Sequence, residues 1–332
     1  MPGRIAGIWH PDRYHGLGKK DGFFEGWYFK VVDPTERYIF AFIPGISFAA
    51  GDSHSFIQVL DGASGEARYF RYGLGDFRAS KTEFEVEIGG SVFSNEALRI
   101  DIPGAYRGEL KFQGLRPWPV TLFSPGIMGP YAFAPFMECY HGVLSLDHAI
   151  EGRLALRSEE VDFTGGRGYI EKDWGRAFPS SWIWMQTNHF AEPGHSLSLS
   201  LARVPWRRSW FAGIIVGLLV RDRLYRFATY TGAKLTRLEI SETSVVFEIR
   251  DAKYRLEVEA ARTAGGELAS PRPRAGMTGR IGETMSSVIR VALRRAEKSG
   301  GALLFEGEGR NAGLEVVGNV SELRPAAPRG AR

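Results

Sequence analysis

A chain of 332 residues, 44% of them apolar and 24% charged, is long enough for two domains and too apolar to be disordered throughout. Its 42 basic and 38 acidic residues leave a net charge of +4, which is no nucleic-acid footprint, so no nucleic-acid partner is expected. Cys139 is the only cysteine, which excludes an intrachain disulfide and gives no sign of an oxidising compartment.

The opening stretch MPGRIAGIWHPDRY has no continuous apolar core, so no secretory leader is read from it. The expected location is cytoplasmic, with at most peripheral contact with a membrane. From Phe24 onward, short β-branched and aromatic runs alternate with Gly, Pro, Asp and Asn. Strands are expected at 24–32, 38–43, 55–60, 67–72, 84–88, 98–102, 109–112 and 139–148. Alternation is cleanest in Phe84-Glu85-Val86-Glu87-Ile88, one face apolar and the other charged. The second half repeats this style at 196–203, 213–220, 224–229, 235–240, 245–250, 254–260, 288–293, 303–306 and 314–317. The apolar run 210–220 is too short for a helix across a bilayer core of about 30 Å and reads as buried strand or interfacial patch. In 283–298, Ile289, Val291 and Leu293 alternate with Arg290, Ala292 and Arg294, so period two favours a strand. Around 263–282 the pattern gives way to Pro, Gly and Arg, which predicts a long exposed loop.

Eighteen to twenty strands with almost no helix make the chain all-β. Sheets beyond about ten strands close or split, so two packed β units are expected. The boundary falls near the charged connection Arg157-Ser158-Glu159-Glu160, dividing 1–160 from 161–332.

A phosphate-binding loop, a GxSxG elbow and metal-type Cys/His spacing are all absent, and Gly307, Gly309 and Gly313 lie between strands rather than opening a helix. Neither metal nor cofactor is expected. Three clusters remain. In FFEGWYFK, strand parity puts Glu25 among Phe23, Trp27 and Phe29; an exposed or salt-bridged Glu is an equally good reading. In 137–148, parity groups Glu138, Tyr140 and His148 on one face and His141 with Asp147 on the other, unless a bulge at Gly142 scrambles it. A single histidine there is more often a hydrogen-bonded structural imidazole. In 168–190, Tyr169, Glu171 and Asp173 share a face of a strand, unless Glu171, Lys172 and Asp173 form an ordinary ion-pair turn, and Trp182, Trp184, Gln186 and Asn188 form a second one-sided row. Rings alternating with amides suit a pocket wall better than a core.

At these residues the chain resembles the tocopherol cyclase family. The likeness rests on FFEGWYFK (23–30), GPYAFAPFMECYHGVLSLDHAIEG (129–152) and DFTGGRGYIEKDWGRAFPSSWIWMQTNHF (162–190), with weaker support from GE (282–283) and FEGEGRNAGLE (305–315). It implies two lipocalin-like antiparallel β-barrels packed side by side, related to the carotenoid hydratases. It also implies closure of a prenylated benzoquinol to a chromanol without metal or redox cofactor, and hence a hydrophobic prenylated small molecule as partner.

Side-chain chemistry then suggests roles that the resemblance does not assign. Protonating a trisubstituted alkene calls for a carboxylic acid whose pKa burial has raised, and Glu25, Glu171 and Asp173 are the candidates. Trp27, Trp182 or Trp184 would face the tertiary cation. Gln186, Asn188 and His141 would orient the quinol hydroxyls, a histidine or carboxylate would receive the phenol proton, and Tyr140 and Trp174 join the substrate-binding residues. Two other readings share the scaffold: a non-catalytic carrier of a prenyl lipid or quinone, and a hydratase of terpenoid alkenes. Within 262–295, Arg272, Arg274 and Arg280 point to contact with an anionic membrane surface.

Overall fold

The computed structural model describes residues 7–157, 159–297 and 301–325. Ser158 of the expected boundary and Lys298, the expected end of one strand, lie outside the described residues. Alternating apolar and polar positions build two antiparallel sheets, with only short 3-10 turns and no α-helix among the described residues. The first sheet comprises β1 (Phe23–Val32), β2 (Ile39–Phe48), β3 (His54–Asp61), β4 (Ala67–Tyr72), β5 (Phe77–Ala79), β6 (Glu85–Ile88), β7 (Ser91–Ser94), β8 (Ala97–Ile102), β9 (Tyr106–Gln113), β10 (Cys139–Leu156), β11 (Glu159–Asp162) and β12 (Arg167–Gly175). The second comprises β13 (Trp182–Thr187), β14 (His195–Trp206), β15 (Ser209–Val220), β16 (Arg223–Ala228), β17 (Lys234–Ile240), β18 (Ser244–Arg250), β19 (Tyr254–Ala261), β20 (Gly266–Arg272), β21 (Gly276–Arg295) and β22 (Leu303–Val317).

Hydrogen-bonded order in the first sheet is β4-β3-β2-β1-β12-β10-β9-β8-β7-β6-β5, and in the second β16-β15-β14-β13-β22-β21-β19-β18-β17. Both follow one plan: the opening strand pairs with the last, and the two edge strands are consecutive in sequence. Neither sheet closes into the expected barrel. The edge strands β4 and β5, like β16 and β17, are joined by a short 3-10 turn, Leu74–Asp76 or Thr229–Thr231, and exchange no ladder hydrogen bonds.

Each sheet has its own apolar cluster. Trp27, Phe29, Phe42, Phe93, Leu110 and Ile170 are central to the first, and Ile183, Met185, Val216, Phe247 and Leu293 to the second. The first compact unit runs to Phe178 and also takes in Gly265–Ile281; the second holds Pro179–Ala264 and the chain from Gly282 on. The first unit therefore extends past residue 160, because β12 is a central strand paired with both β1 and β10. The expected loop at 263–282 is instead β20 and the start of β21. Gln58 substitutes for a ladder partner there: its Nε2 donates to the Ala269 carbonyl (3.0 Å) while its Oε1 accepts from the Ala269 N–H (2.8 Å). Pro271 sits one residue from the end of β20, where the loss of an N–H costs little.

Candidate active site

The three sequence blocks richest in unusual residues become neighbours in the first sheet, as β1, β12 and β10. Glu25 lies opposite Trp174 and Trp27 opposite Lys172, while on the other flank Tyr140 lies opposite Trp174 and His141 opposite Asp173. Because side chains alternate along β12, Lys172 and Trp174 project to one face and Glu171 and Asp173 to the other. The run Glu-Lys-Asp is thus no ion-pair turn; its charges are dealt to opposite sides of a strand. β12 ends at Gly175 (φ +152°), where a Cβ would come within 2.3 Å of the Glu138 carbonyl, so glycine permits β10 to lie this close. The bulges of β10 fall between Val143 and His148 rather than at Gly142, which leaves the 140–142 register intact.

On the Lys172 face, Glu25 and Lys172 are both fully buried, 2.6 Å apart. The three ammonium protons have three acceptors, the Glu25 carboxylate, His15 Nδ1 at 2.9 Å and the Arg13 carbonyl. The backbone N–H of His15 donates to both Glu25 oxygens, at 3.0 and 2.9 Å. Burial alone would push the Glu25 carboxyl up, but the Lys172 ammonium and the His15 donors hold it below the usual carboxylate range. Glu25 is therefore one half of an ion pair and not the protonated acid expected among aromatic rings. Burial pulls Lys172 down, an effect Glu25 partly offsets, and burial together with Lys172 lowers His15. The Lys172 ammonium lies 5.0 Å from the Trp27 ring centroid and 4.8 Å from that of Trp174. The cation–π place foreseen for a substrate cation at Trp27 is thus filled by the protein's own lysine. Trp27 also stacks on Phe84, and Trp174 on His15 and Tyr140. His15 carries no signal in the sequence; it precedes β1 in a segment without periodicity.

On the opposite face, His141 Nδ1 donates to Asp173 Oδ1 at 2.9 Å and its Nε2 lies 3.7 Å from Glu171 Oε2. Glu171 Oε2 accepts the hydroxyl of Tyr169 at 2.5 Å. Nε2 of His141 is buried with no hydrogen-bond partner among the described residues. Burial would push this imidazole down, but the carboxylates of Asp173 and Glu171 outweigh it and raise the pKa to about 9. Side-chain exposure is graded across the cluster, 7% for Glu171, 14% for His141 and 26% for Asp173. Bulk water is largely kept away, while one edge stays within reach of a ligand. Cys139 Sγ, 3.8 Å from Asp173 Oδ1, is held well above the usual thiol range by burial and then by the charges of Asp173 and Glu138, so it remains a thiol. One donor atom each from His141, Glu171 and Asp173 lies within 4.8 Å of the others, a spacing that a divalent cation can also bridge.

A linkage consequence follows for stability. His141 gains its proton affinity from Asp173 and Glu171, with Tyr169 and Cys139 as the other titratable neighbours, so its folded pKa lies above the ordinary 6.5. The stabilisation it brings is complete below pH 6.5 and disappears as pH rises through about 9. Urea unfolding should show a decline on the order of 3 kcal/mol across that window. In His141→Gln the decline should be absent; a wild-type curve that is flat there contradicts the cluster's charge state.

His148, by contrast, is structural. It packs against Phe112 (4.6 Å between ring centroids), its Nδ1 meets Ser145 Oγ at 3.0 Å, and burial followed by Arg167 lowers its pKa to about 3. In the second unit, Trp182, Trp184 and Gln186 do form the expected row, on the face of β13 opposite to Ile183 and Met185, with buried Asn188 just beyond the strand. Trp182 Nε1 donates to Glu315 Oε2 at 2.5 Å, and the Trp184 ring lies where a Cβ on Gly313 would be 2.6 Å away. β12 and β13 belong to different sheets, so the 168–190 stretch is divided between the two units.

The chain is 22% identical to "Tocopherol cyclase, chloroplastic" of Zea mays, over 92% of this chain and 77% of that protein. Among solved structures it is similar to CghA with Sch210972 (TM-score 0.56, 10% identity, 89% of each chain). It is also similar to kievitone hydratase from Nectria haematococca (TM-score 0.51, 12% identity, 92% of this chain and 94% of that one). At these identities the structural likeness concerns the fold. The sequence model described as Tocopherol cyclase-like matches residues 124–318, a span that contains His141, Glu171, Lys172, Asp173 and the whole Trp182–Asn188 row. Covering more than half of the chain, that match shows that the protein belongs to the tocopherol cyclase-like family.

Proposed function

We propose that the chain is an intramolecular cyclase that closes a prenylated benzoquinol to a chromanol, with His141, Asp173 and Glu171 as its proton-handling group. The observation that carries this is the buried imidazole set between two carboxylates, which retains a proton well above neutral pH. In the reaction, a proton from this cluster goes to the less substituted carbon of the prenyl double bond. The tertiary cation that results is captured by the phenolic oxygen, and the phenolic proton returns to the cluster, so nothing is consumed. Asp173, the most exposed of the three, is placed to meet the substrate, and Tyr169 fixes Glu171 by its short hydrogen bond. The reading draws on the first unit alone. Membership of the family and the donor geometry support it.

Turnover of a prenylated hydroquinone in D2O tests it. The expected product is a chromanol with one non-exchangeable deuterium on the ring carbon next to the new quaternary centre. A tertiary alcohol would identify a hydratase, and recovery of bound but unaltered quinol a carrier; either outcome rejects the cyclase.

A further inference from the structure

Eight large apolar side chains are exposed among the described residues, and five of them come from one short stretch, 120–136: Val120, Leu122, Phe123, Phe133 and Phe136. Chance scatter over the surface would not concentrate them so. The tip is a tight turn in which Thr121 and Ser124 exchange both backbone hydrogen bonds, and it presents Leu122 at 65% and Phe123 at 80% exposure. The turn is braced from behind. Trp9 Nε1 donates to the Leu122 carbonyl at 3.1 Å, and the Trp9 ring meets Phe133 edge-on at 5.6 Å. Tyr140 OH donates to the Ala134 carbonyl at 2.5 Å, which ties the same stretch to the strand that carries His141.

At the Phe136 end of this apolar stretch lies a group of arginines. Arg176 donates to the Phe136 carbonyl at 3.2 Å and lines a shallow cleft with Arg272 and Arg274, over a floor that includes Phe23 and Phe48. All three arginines are exposed, and none forms an ion pair with a carboxylate among the described residues. Arg280, grouped with them on sequence, is different: it pairs with Glu267 at 3.6 Å and donates to the Gly279 carbonyl. An exposed apolar stretch with uncompensated guanidinium groups at one end is the charge pattern that suits a leaflet with anionic headgroups.

We propose that this surface docks the first unit on an anionic phospholipid bilayer, with Leu122 and Phe123 entering the acyl boundary and Arg272, Arg274 and Arg176 meeting lipid phosphates. Its purpose rests on the prenyl-lipid reading above, since such a substrate partitions into bilayers, but its test does not. Sedimentation of the full chain with vesicles of phosphatidylcholine, with and without phosphatidylglycerol, reads the docking without substrate. Binding is expected with phosphatidylglycerol and should weaken at high salt. The L122S/F123S variant should lose about 10-fold or more in partitioning at any salt, and R272Q/R274Q should lose about 10-fold at low salt together with most of the salt dependence. Near-ultraviolet circular dichroism and thermal melting should be unchanged in both variants, as should turnover of detergent-dispersed quinol. Wild-type protein that ignores anionic vesicles overturns the proposal, as do variants that bind like wild type. Self-association of the wild type that L122S/F123S abolishes, without vesicle binding, overturns it too and assigns the surface to a second copy. Vesicle binding without quinol turnover leaves the docking standing and rejects only the proposed reaction.

Discussion

Replacing His141 by Gln should lower kcat/KM for quinol closure by about 100- to 10,000-fold, the range for loss of a positioned general acid–base. Gln can still donate toward Asp173 but has no titratable proton to lend, so the fold should survive while the chemistry does not. Asp173→Asn should fall in the same range, and the double variant should be little worse than either single one, because the two residues share one proton across a 2.9 Å hydrogen bond. The pH profile adds a signature that a structural histidine would not give. Activity that needs the protonated imidazole is present below the raised pKa and falls as pH passes about 9, well above the ordinary histidine range. Near wild-type turnover in both His141→Gln and Asp173→Asn would sink the mechanism. Glu171→Gln separates the two carboxylates: it removes the charge facing Nε2 while keeping an acceptor for Tyr169.

The largest effect on stability should come from Lys172→Met. The substitution removes an ammonium from a site of zero exposure and leaves Glu25, also at zero exposure, without its partner. Breaking a buried pair from one side costs about 3–5 kcal/mol, most of it for the stranded charge. The decisive comparison is with Glu25→Gln/Lys172→Met, which replaces both charges. That variant should recover at least half of the loss, since the ring faces of Trp27 and Trp174 can pack against a thioether as they do against the ammonium stem. Urea denaturation of the four members of the cycle measures the coupling. If Lys172→Met and the double variant are equally destabilised, lost packing and not the stranded carboxylate is responsible.

Strand periodicity made much of this legible. Faces of a strand are local properties, so the sharing of a side by Tyr169, Glu171 and Asp173, the one-sided row from Trp182 to Gln186, and the strand character of the Arg290–Arg294 region could all be read from alternation. Partners across strands are not local. Nothing near Glu25 announces that Lys172 lies beside it, so a carboxylate among rings looked like an acid with a raised pKa. The residues of 168–190 are close in sequence, yet the chain leaves one sheet and enters another between Gly175 and Trp182. The loop expected at 263–282 failed for a related reason: the Gln58 side chain that supports Ala269 comes from 211 residues away.

The pairing of the first strand of the unit with its last sets an order on assembly. His15 and Lys172, in direct contact, are 157 residues apart in the chain, and β1 finds its β12 edge only after everything between them has been made. On a ribosome the β1–β3 meander can form early, with the Glu25 carboxylate still in water. The costly act of burying it must wait for the Lys172 ammonium to emerge, so desolvation of this pair belongs to the closing step of folding of the first unit and inherits its large loop-closure entropy. The proton-handling cluster on the other face of the same strand comes into being at that moment too, which makes chemical competence a direct report that β12 has docked.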